Sequence, residues 1–275
     1  MIFKDKTVII TGGSEGIGAA AARGFAEAGA NLLLVARNRK KLEALAQELR
    51  DKTRVEIFAM DVSDPDASVD LFKKADYDFG RIDILVNNAG YHERGPVEKV
   101  EAADLARMVD VNLRAPILLS RLALPYLRDA GGGVIVNVGS LYGRTPAPGQ
   151  AAYCATKAGL RFFTRALAEE LRHDTIKVAL VAPGPVDTGF IMDNLDRASN
   201  LTFSQPISSA AEVAQAILDI CGNDRVEISM PTSTAIIANL NYIFPWLGRI
   251  MRPFLEKKGA RVKAQIKARR KAAAP

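Results

Sequence analysis

Thr7-Val8-Ile9-Ile10-Thr11-Gly12-Gly13-Ser14-Glu15-Gly16-Ile17-Gly18 passes from a short apolar run straight into a glycine-rich turn. An alanine-rich amphipathic stretch, about Ala19 to Ala28, follows and ends at Gly29. The order predicts strand, glycine turn, helix. Glycines let backbone N–H groups approach a pyrophosphate, and the positive end of a helix dipole favours its charge. The spacing of Gly12, Gly16 and Gly18 is wider than the usual dinucleotide fingerprint. The reading therefore rests on position, because a glycine-rich turn elsewhere would be any tight loop.

Further along, Asn31 to Val35 forms a second apolar run and ends in Ala36-Arg37-Asn38-Arg39. In a doubly wound sheet the end of strand two faces the adenosine ribose, where an acid would take the 2′-hydroxyl of NAD. Small Ala36 followed by Arg37 suits a 2′-phosphate, and so NADP, with NAD as the alternative. The bland reading is that Arg37 and Arg39 merely begin a charged helix, 39–50. Strand-like segments near 6–11, 31–36, 54–60, 83–87, 133–139, 176–182 and 226–229 alternate with helical stretches. That alternation predicts an α/β fold, a Rossmann-like doubly wound parallel sheet of about seven strands with helices on both faces.

Tyr153 and Lys157 stand four residues apart in Tyr153-Cys154-Ala155-Thr156-Lys157, which on a helix puts phenol and ammonium on one face. A free phenol ionises at about pH 10 and a free ammonium at about 10.4. Held together, the cation favours the phenolate, so the tyrosine is expected to trade a proton nearer neutrality. Such a pair also arises by chance on surface helices, and its weight comes from the motifs around it.

Taken together, these motifs resemble the short-chain dehydrogenase/reductase family over residues 4 to 230. Besides the glycine loop and the Tyr/Lys pair, the resemblance includes Asp61-Val62 after strand three and Asn87-Asn88-Ala89-Gly90 after strand four. It adds Asn112 in a helix, Ser140 after strand five, and Pro183-Gly184 with Thr188 after strand six. The resemblance implies an NADP-dependent oxidoreductase that interconverts a carbonyl and a secondary alcohol by hydride transfer. Tyr153 would be the general acid in reduction, and Lys157 would lower its pKa and bond the nicotinamide ribose. Ser140 would hold the substrate oxygen, and Asn112 a water linking Lys157 to solvent. Gly12, Ser14, Gly16, Ile17 and Gly18 would line the pyrophosphate, Arg37 the 2′-phosphate, and Asp61 with Val62 the adenine. Asn88, Ala89 and Gly90 would follow the adenosine ribose, and Val186 and Thr188 the carboxamide. Asn87 would brace the sheet. One departure is Glu15, where many NADP-using relatives carry a basic residue.

Taken alone, Ser140 reads equally as a strand-end turn residue and Asn112 as a helix residue bonding backbone. A rival from another class is an NADP(H)-binding redox sensor or scaffold without turnover.

The chain's 275 residues are 48% apolar and 25% charged, which suits one soluble domain with a full core. Its N-terminus, Met1-Ile2-Phe3-Lys4-Asp5-Lys6, lacks the apolar run of a signal peptide, and two cysteines suggest no disulfide framework. The expectation is a cytoplasmic protein. Cys154 reads as a small helix residue rather than a nucleophile. With His92 and His173 the chain's two histidines and no ligand-spaced cluster, no metal site is expected.

Substrate is expected to meet an apolar, mobile lid over 190–206, with Phe190, Ile191, Met192, Leu195, Leu201 and Phe203. Tyr142, Pro185, Tyr91, His92 and Gln150 are candidate pocket walls, although each could instead pack on a neighbouring helix or subunit. Residues 1–230 form the expected oxidoreductase domain, and 231–275 an amphipathic and basic extension. There Ile236, Leu240, Ile243, Leu247, Ile250 and Phe254 recur at helical spacing, and Pro245 and Pro253 predict an interrupted amphipathic pair rather than a membrane span. From Arg249 onward ten Lys/Arg meet one acid, Glu256, a net of +9; the whole chain is +6, so residues 1–248 carry −3. Basic residues beside an apolar face suit the surface of an anionic membrane, while the alternative is a solvated tail. Nucleic-acid binding is not expected, because no recognition motif accompanies the charge.

The apolar lid and a lipid-facing C-terminus favour a hydrophobic substrate, and a resemblance to reductases of lipid ketones implies a long-chain 3-keto lipid such as 3-ketosphinganine or a 3-oxoacyl thioester, with steroids, retinoids and small polyols left open. The resemblance also implies a homodimer or homotetramer built through helices near 101–130 and 151–173.

Overall fold

A computed structural model describes residues 3–272, so the first two residues of the N-terminal reading lie outside it. β1 (Thr7–Thr11), β2 (Asn31–Ala36), β3 (Val55–Ala59), β4 (Ile84–Asn87), β5 (Gly133–Val138) and β6 (Ile176–Pro183) precede a two-stranded pair, β7 (Val186–Asp187) and β8 (Ser208–Ser209). The last strand is β9 (Glu227–Met230). Seven of these form one sheet in the order β3-β2-β1-β4-β5-β6-β9, every neighbour parallel. Each lies within about a residue of its expected place. The β7–β8 pair was not expected, because two-residue strands leave no periodicity to read.

Burial follows the period-2 pleat of β1. Val8 and Ile10 join one core with α1 (Gly16–Glu27), α2 (Arg39–Leu49) and α8 (Ala210–Cys221), through Phe25, Leu42, Leu49 and Ile217. Ile9 joins the opposite core with α3 (Pro65–Phe79), α5 (Ala115–Asp129) and α6 (Ala151–Glu170), through Leu71, Phe72, Leu119 and Leu167. Both faces are dry, which is why the strands read as unbroken apolar runs.

Asp83 fastens the start of β4 to β1. Its buried carboxylate accepts from Lys6 Nζ at 2.9 Å, from the Thr7 amide at 2.9 Å and from Arg81 Nε at 2.8 Å. Burial alone would push this carboxyl up, but the bonds from Arg81, Thr7 and Lys6 outweigh it and hold it below the usual range. Its contribution is thus present above the unfolded carboxylate pKa and lost as pH falls through the folded one. Asp83→Asn leaves two cations facing a neutral amide, and urea unfolding is expected to show a loss of roughly 2–4 kcal/mol at neutral pH. A change within error would mean that the three bonds are structurally idle.

Two expectations are corrected beyond β6. The supposed mobile lid is a packed satellite: α7 (Gly189–Met192) and a 3₁₀ turn (Asn200–Ser204) bring Leu195, Ala198 and Phe203 into a small core. Val262 and Ile266 of the C-terminal extension close that core from outside. The extension itself is α9 (Thr232–Ile243) and a long α10 (Pro245–Ala272). The pair breaks at Phe244 before Pro245 as predicted, but Pro253 does not end the second helix. The basic tail is therefore helical, and Lys263, Lys267 and Arg270 reach the Ala198 carbonyl, Asp196 and Asp193 of the satellite.

Candidate active site

The sheet order reverses between β1 and β4, leaving a crevice at the strands' carboxyl ends. The glycine loop sits there. Gly12 at φ +63° and Gly16 at φ +57° take the left-handed conformation that side chains resist, and a Cβ on Gly12 would lie 2.8 Å from Asn88 Nδ2. The N-terminus of α1 has no side-chain cap, so its first N–H groups remain available to an anion. Gly18 is corrected: it lies outside the crevice wall, and a Cβ there would clash with the Gly12 carbonyl, so it permits close packing of helix on loop. Asn88 lines the crevice, and its side chain fastens the loop. Its Nδ2 donates to the carbonyls of Thr11 at 2.9 Å and Gly12 at 3.2 Å.

Gly12, Ser14, Gly16, Ile17, Arg37, Asp61, Val62, Asn88, Ala89, Gly90, Val186 and Thr188 line one cavity of about 930 Å³. It also reaches Ser140, Tyr142, Tyr153, Lys157 and Pro185. Its outer end is cationic, with Arg37, Arg39, Lys40 and Lys41 in the wall. Glu15, the departure noted in the sequence, accepts from Lys41 Nζ at 2.5 Å, so its charge is offset within the wall itself. Asp61 accepts from the Ser63 amide at 3.0 Å and hydroxyl at 2.7 Å. Burial opposes ionisation of this carboxyl, but the Ser63 bonds and then Arg37 and Arg107 hold it low.

At the inner end, α6 presents Tyr153 and Lys157, both buried. Lys157 Nζ donates to the Val138 carbonyl at 2.9 Å and stands 5.9 Å from the Tyr153 ring centroid. Burial pushes the Tyr153 phenol up to about 12, with the Ser140 hydroxyl bond and Arg94 recovering only part of the shift. Burial pulls Lys157 down to about 8. Burial dominates both groups, and the ammonium rests on the Val138 carbonyl. A phenol that stays protonated at neutral pH is the form a general acid needs.

Asn112 lies in a single π-turn, Asp110–Arg114, between α4 (Ala102–Val109) and α5. Its side chain is fully buried, donating to the Tyr91 carbonyl at 2.8 Å and Thr156 Oγ1 at 3.3 Å and accepting from the Tyr91 amide at 2.8 Å. Both amide protons are thus occupied, one in bracing the loop after β4 and the other in tying the π-turn to α6. Asn87 braces the sheet as expected, donating to Asn137 Oδ1 at 2.9 Å.

The sequence named His92 only as a wall. In the fold its ring stacks on that of Tyr153, centroids 4.0 Å apart and planes 15° from parallel. Burial, then Arg94, Lys157 and Arg197, push its pKa down to about 3. Arg94 was missed altogether. Its guanidinium lies 5.5 Å over the Phe190 ring and donates to the Phe190 carbonyl at 3.0 Å, placing a cation near the phenol. No pattern in the irregular loop after β4 marks it in advance.

His92 carries a pH prediction. The unfolded chain binds a proton there below about pH 6.5, whereas the folded chain resists until about 3. Stability therefore falls as pH drops through that window. His92→Phe, which keeps the stack, should lessen the loss between pH 6.5 and 4 by roughly 2–3 kcal/mol. Parallel stability curves for variant and parent would show that His92 gains its proton without cost to the fold.

The family model for short chain dehydrogenases matches residues 6–198. The chain belongs to the short-chain dehydrogenase family. It is an oxidoreductase of the carbonyl/alcohol type, and its cleft is built for a nicotinamide dinucleotide. Sulfoacetaldehyde reductase 2 of Chromohalobacter salexigens is 38% identical over 187 residues, 67% of this chain and 74% of that one. The 3-oxoacyl-(acyl-carrier-protein) reductase of Chlamydia muridarum is 32% identical over 228 residues, 81% and 92% of the two chains. A metagenomic short-chain oxidoreductase solved in complex with NADP superposes with a TM-score of 0.72 at 33% identity, over 84% of this chain and 98% of that chain. The cationic wall beyond Ala36 and the uncapped α1 fit a nicotinamide dinucleotide on this chain's own geometry.

Proposed function

We propose that residues 1–230 form an NADP(H)-preferring reductase that converts a hydrophobic ketone to a secondary alcohol, with 231–275 as an added amphipathic and basic extension. The observation that carries the reading is the single cavity. It runs from Arg37, Arg39, Lys40 and Lys41 at one end to Tyr153, Ser140 and Lys157 at the other. Arg37, Arg39 and Lys40, with Lys41 spent on Glu15, give the outer end a surplus of positive charge that favours the extra phosphate of NADP, since charge-assisted bonds to phosphate are the strong ones. The bound dinucleotide supplies hydride to the carbonyl carbon.

In this reading the chain's own residues do the rest. Ser140 and Tyr153, both in the cavity wall, together hold the carbonyl oxygen, and Tyr153, protonated at neutral pH, gives it the proton. Lys157 is anchored by Val138 at the ribose side of the cleft, where it can restore that proton. Around them Tyr142, Phe190 and His92 present ring faces and edges within 6.5 Å of the Tyr153 ring centroid. An apolar chain suits those walls better than a small hydrophilic alcohol. Exposed Phe162 on α6, with Val109 and Ile117 near α4 and α5, supports pairing of copies through those helices.

The test is NADPH oxidation across a series of 3-keto substrates of rising chain length. Under this reading kcat/KM climbs by about threefold or more for each buried methylene until the cavity is full. A flat series, or turnover confined to small hydrophilic aldehydes, would overturn the hydrophobic assignment while leaving the oxidoreductase intact.

A further inference from the structure

α9 and α10 leave a face that the domain does not cover. Ile236, Leu240, Ile243, Trp246, Ile250 and Phe254 are between 47% and 69% exposed. On α9 the first three recur at four and three residues, opposite buried Ala235 and Ala238. On α10, Trp246, Ile250 and Phe254 form one row, and the next positions of that row are exposed Lys257 and Arg261, with Lys258 beside them. One helix face thus runs from apolar and aromatic to cationic. The opposite face of α10 holds Val262 and Ile266 against the satellite core, and Gly259 lets it approach the Asn200 carbonyl closely. No described helix is long and apolar enough to cross a membrane.

We propose that this face docks the protein on an anionic lipid surface. The apolar row would enter the headgroup–acyl boundary while Lys257, Lys258 and Arg261 meet lipid phosphates. The inference deepens the hydrophobic-ketone reading above and rests on it for its purpose, not for its geometry. Charge decides the occupant. A symmetric contact between two copies lays the row antiparallel on itself, so its cations would lie over the partner's apolar end with no opposite charge to meet. A lipid surface supplies the opposite sign, and an aromatic residue beside basic ones is the composition such interfaces favour.

Both helices also touch segments next to the cleft wall. α9 is pinned by Asn239, which accepts from Arg144 Nη1 at 2.7 Å, four residues beyond Ser140. α10 holds the satellite, whose Thr202 hydroxyl bonds the Tyr142 hydroxyl at 3.2 Å. Tyr142 in turn stands edge-on to Tyr153, with ring centroids 6.4 Å apart. Docking through the outer face would therefore bring the opening of the active site to the bilayer, where an apolar ketone resides.

Trp246 is the chain's sole tryptophan and sits in the row, so its emission reports contact directly. The full-length protein is mixed with vesicles of phosphatidylcholine alone or with added phosphatidylglycerol, and binding is followed by co-sedimentation and by Trp246 emission. The expected result is binding to the anionic vesicles, an emission shift to shorter wavelength, and weakening by salt. Replacing Lys257, Lys258 and Arg261 together by Glu should cut binding about a hundredfold or more, each cation being worth about fivefold at such a surface. I250D with F254D should abolish the shift. Three results would overturn the proposal: no binding to either vesicle, equal binding to both without salt dependence, or a lipid-free, concentration-dependent shift with dimer formation. Turnover of a water-soluble short-chain ketone in the absence of vesicles separates failure here from failure of the catalytic reading.

Discussion

Tyr153→Phe lowers kcat for ketone reduction by about a thousandfold while NADPH affinity stays within a few-fold of the parent. The magnitude is that of removing a positioned general acid. The substitution deletes one hydroxyl from a buried ring whose stack on His92 is a matter of ring faces, so the fold keeps its packing. Cofactor contacts at the glycine loop and at Arg37 lie at the other end of the cavity and are untouched. Activity and binding should therefore separate cleanly. A sensor or scaffold that never turned over would show no catalytic loss, because it would have no rate to lose. A variant that retained more than a tenth of the parent kcat would place the proton donor elsewhere, and Tyr142, joined to the satellite through Thr202, would be the next phenol to remove.

The second large effect is on cofactor choice. Arg37→Asp puts a carboxylate where the 2′-phosphate is proposed to lie, replacing a charge-assisted bond by repulsion. The lost bond alone corresponds to about a tenfold to hundredfold change, and repulsion adds to it. The ratio of kcat/KM for NADPH over NADH should drop by about a hundredfold or more, mainly through KM for NADPH, with NADH held or improved. Lys41 is a useful contrast, because its ammonium already serves Glu15 at 2.5 Å. Lys41→Ala frees that carboxylate and should also favour NADH, by a smaller factor. If Arg37→Asp left the ratio unchanged, the arginine would be what the bland reading makes it, the start of a charged helix.

Much of the fold was written in short-range pattern. The seven-strand sheet was legible because parallel strands buried on both faces give continuous apolar runs, and each run here is closed by a glycine or polar turn. The glycine loop was legible for the same reason, since its place between β1 and α1 is a matter of order along the chain. The chemistry at Tyr153 and Lys157 was legible as residues but not as energetics. Spacing places the two groups on one face, yet only the packed fold reveals that both are desolvated and that Val138 takes the ammonium. Asn88 and Gly18 illustrate the same limit. Their motif was visible, but Asn88 bonds a carbonyl 77 positions away and Gly18 closes on the Gly12 carbonyl only once the loop has turned, so spacing alone encodes neither.

Where the reading went wrong, tertiary contact was responsible. Residues 190–206 look like a lid on composition, and they are held because Val262 and Ile266 arrive from the far end of the chain. The basic tail was split in the sequence between a membrane surface and solvent. In the structure three of its cations, Lys263, Lys267 and Arg270, are engaged with the satellite, while the row ending in Lys257 and Arg261 faces outward. Arg94 and the stacked His92 come from a loop without periodicity, the class of segment where sequence says least and function concentrates.

The cleft is proposed to perform hydride and proton transfer to an apolar ketone. A single-turnover experiment addresses it most directly, with enzyme in excess over NADPH and a long-chain 3-keto substrate added while nicotinamide absorbance is followed. The account predicts complete oxidation of the bound NADPH in one exponential phase, with one equivalent of alcohol formed and the phase absent in Tyr153→Phe. Tight NADPH binding with no oxidation across the chain-length series, in parent and variant alike, would contradict it.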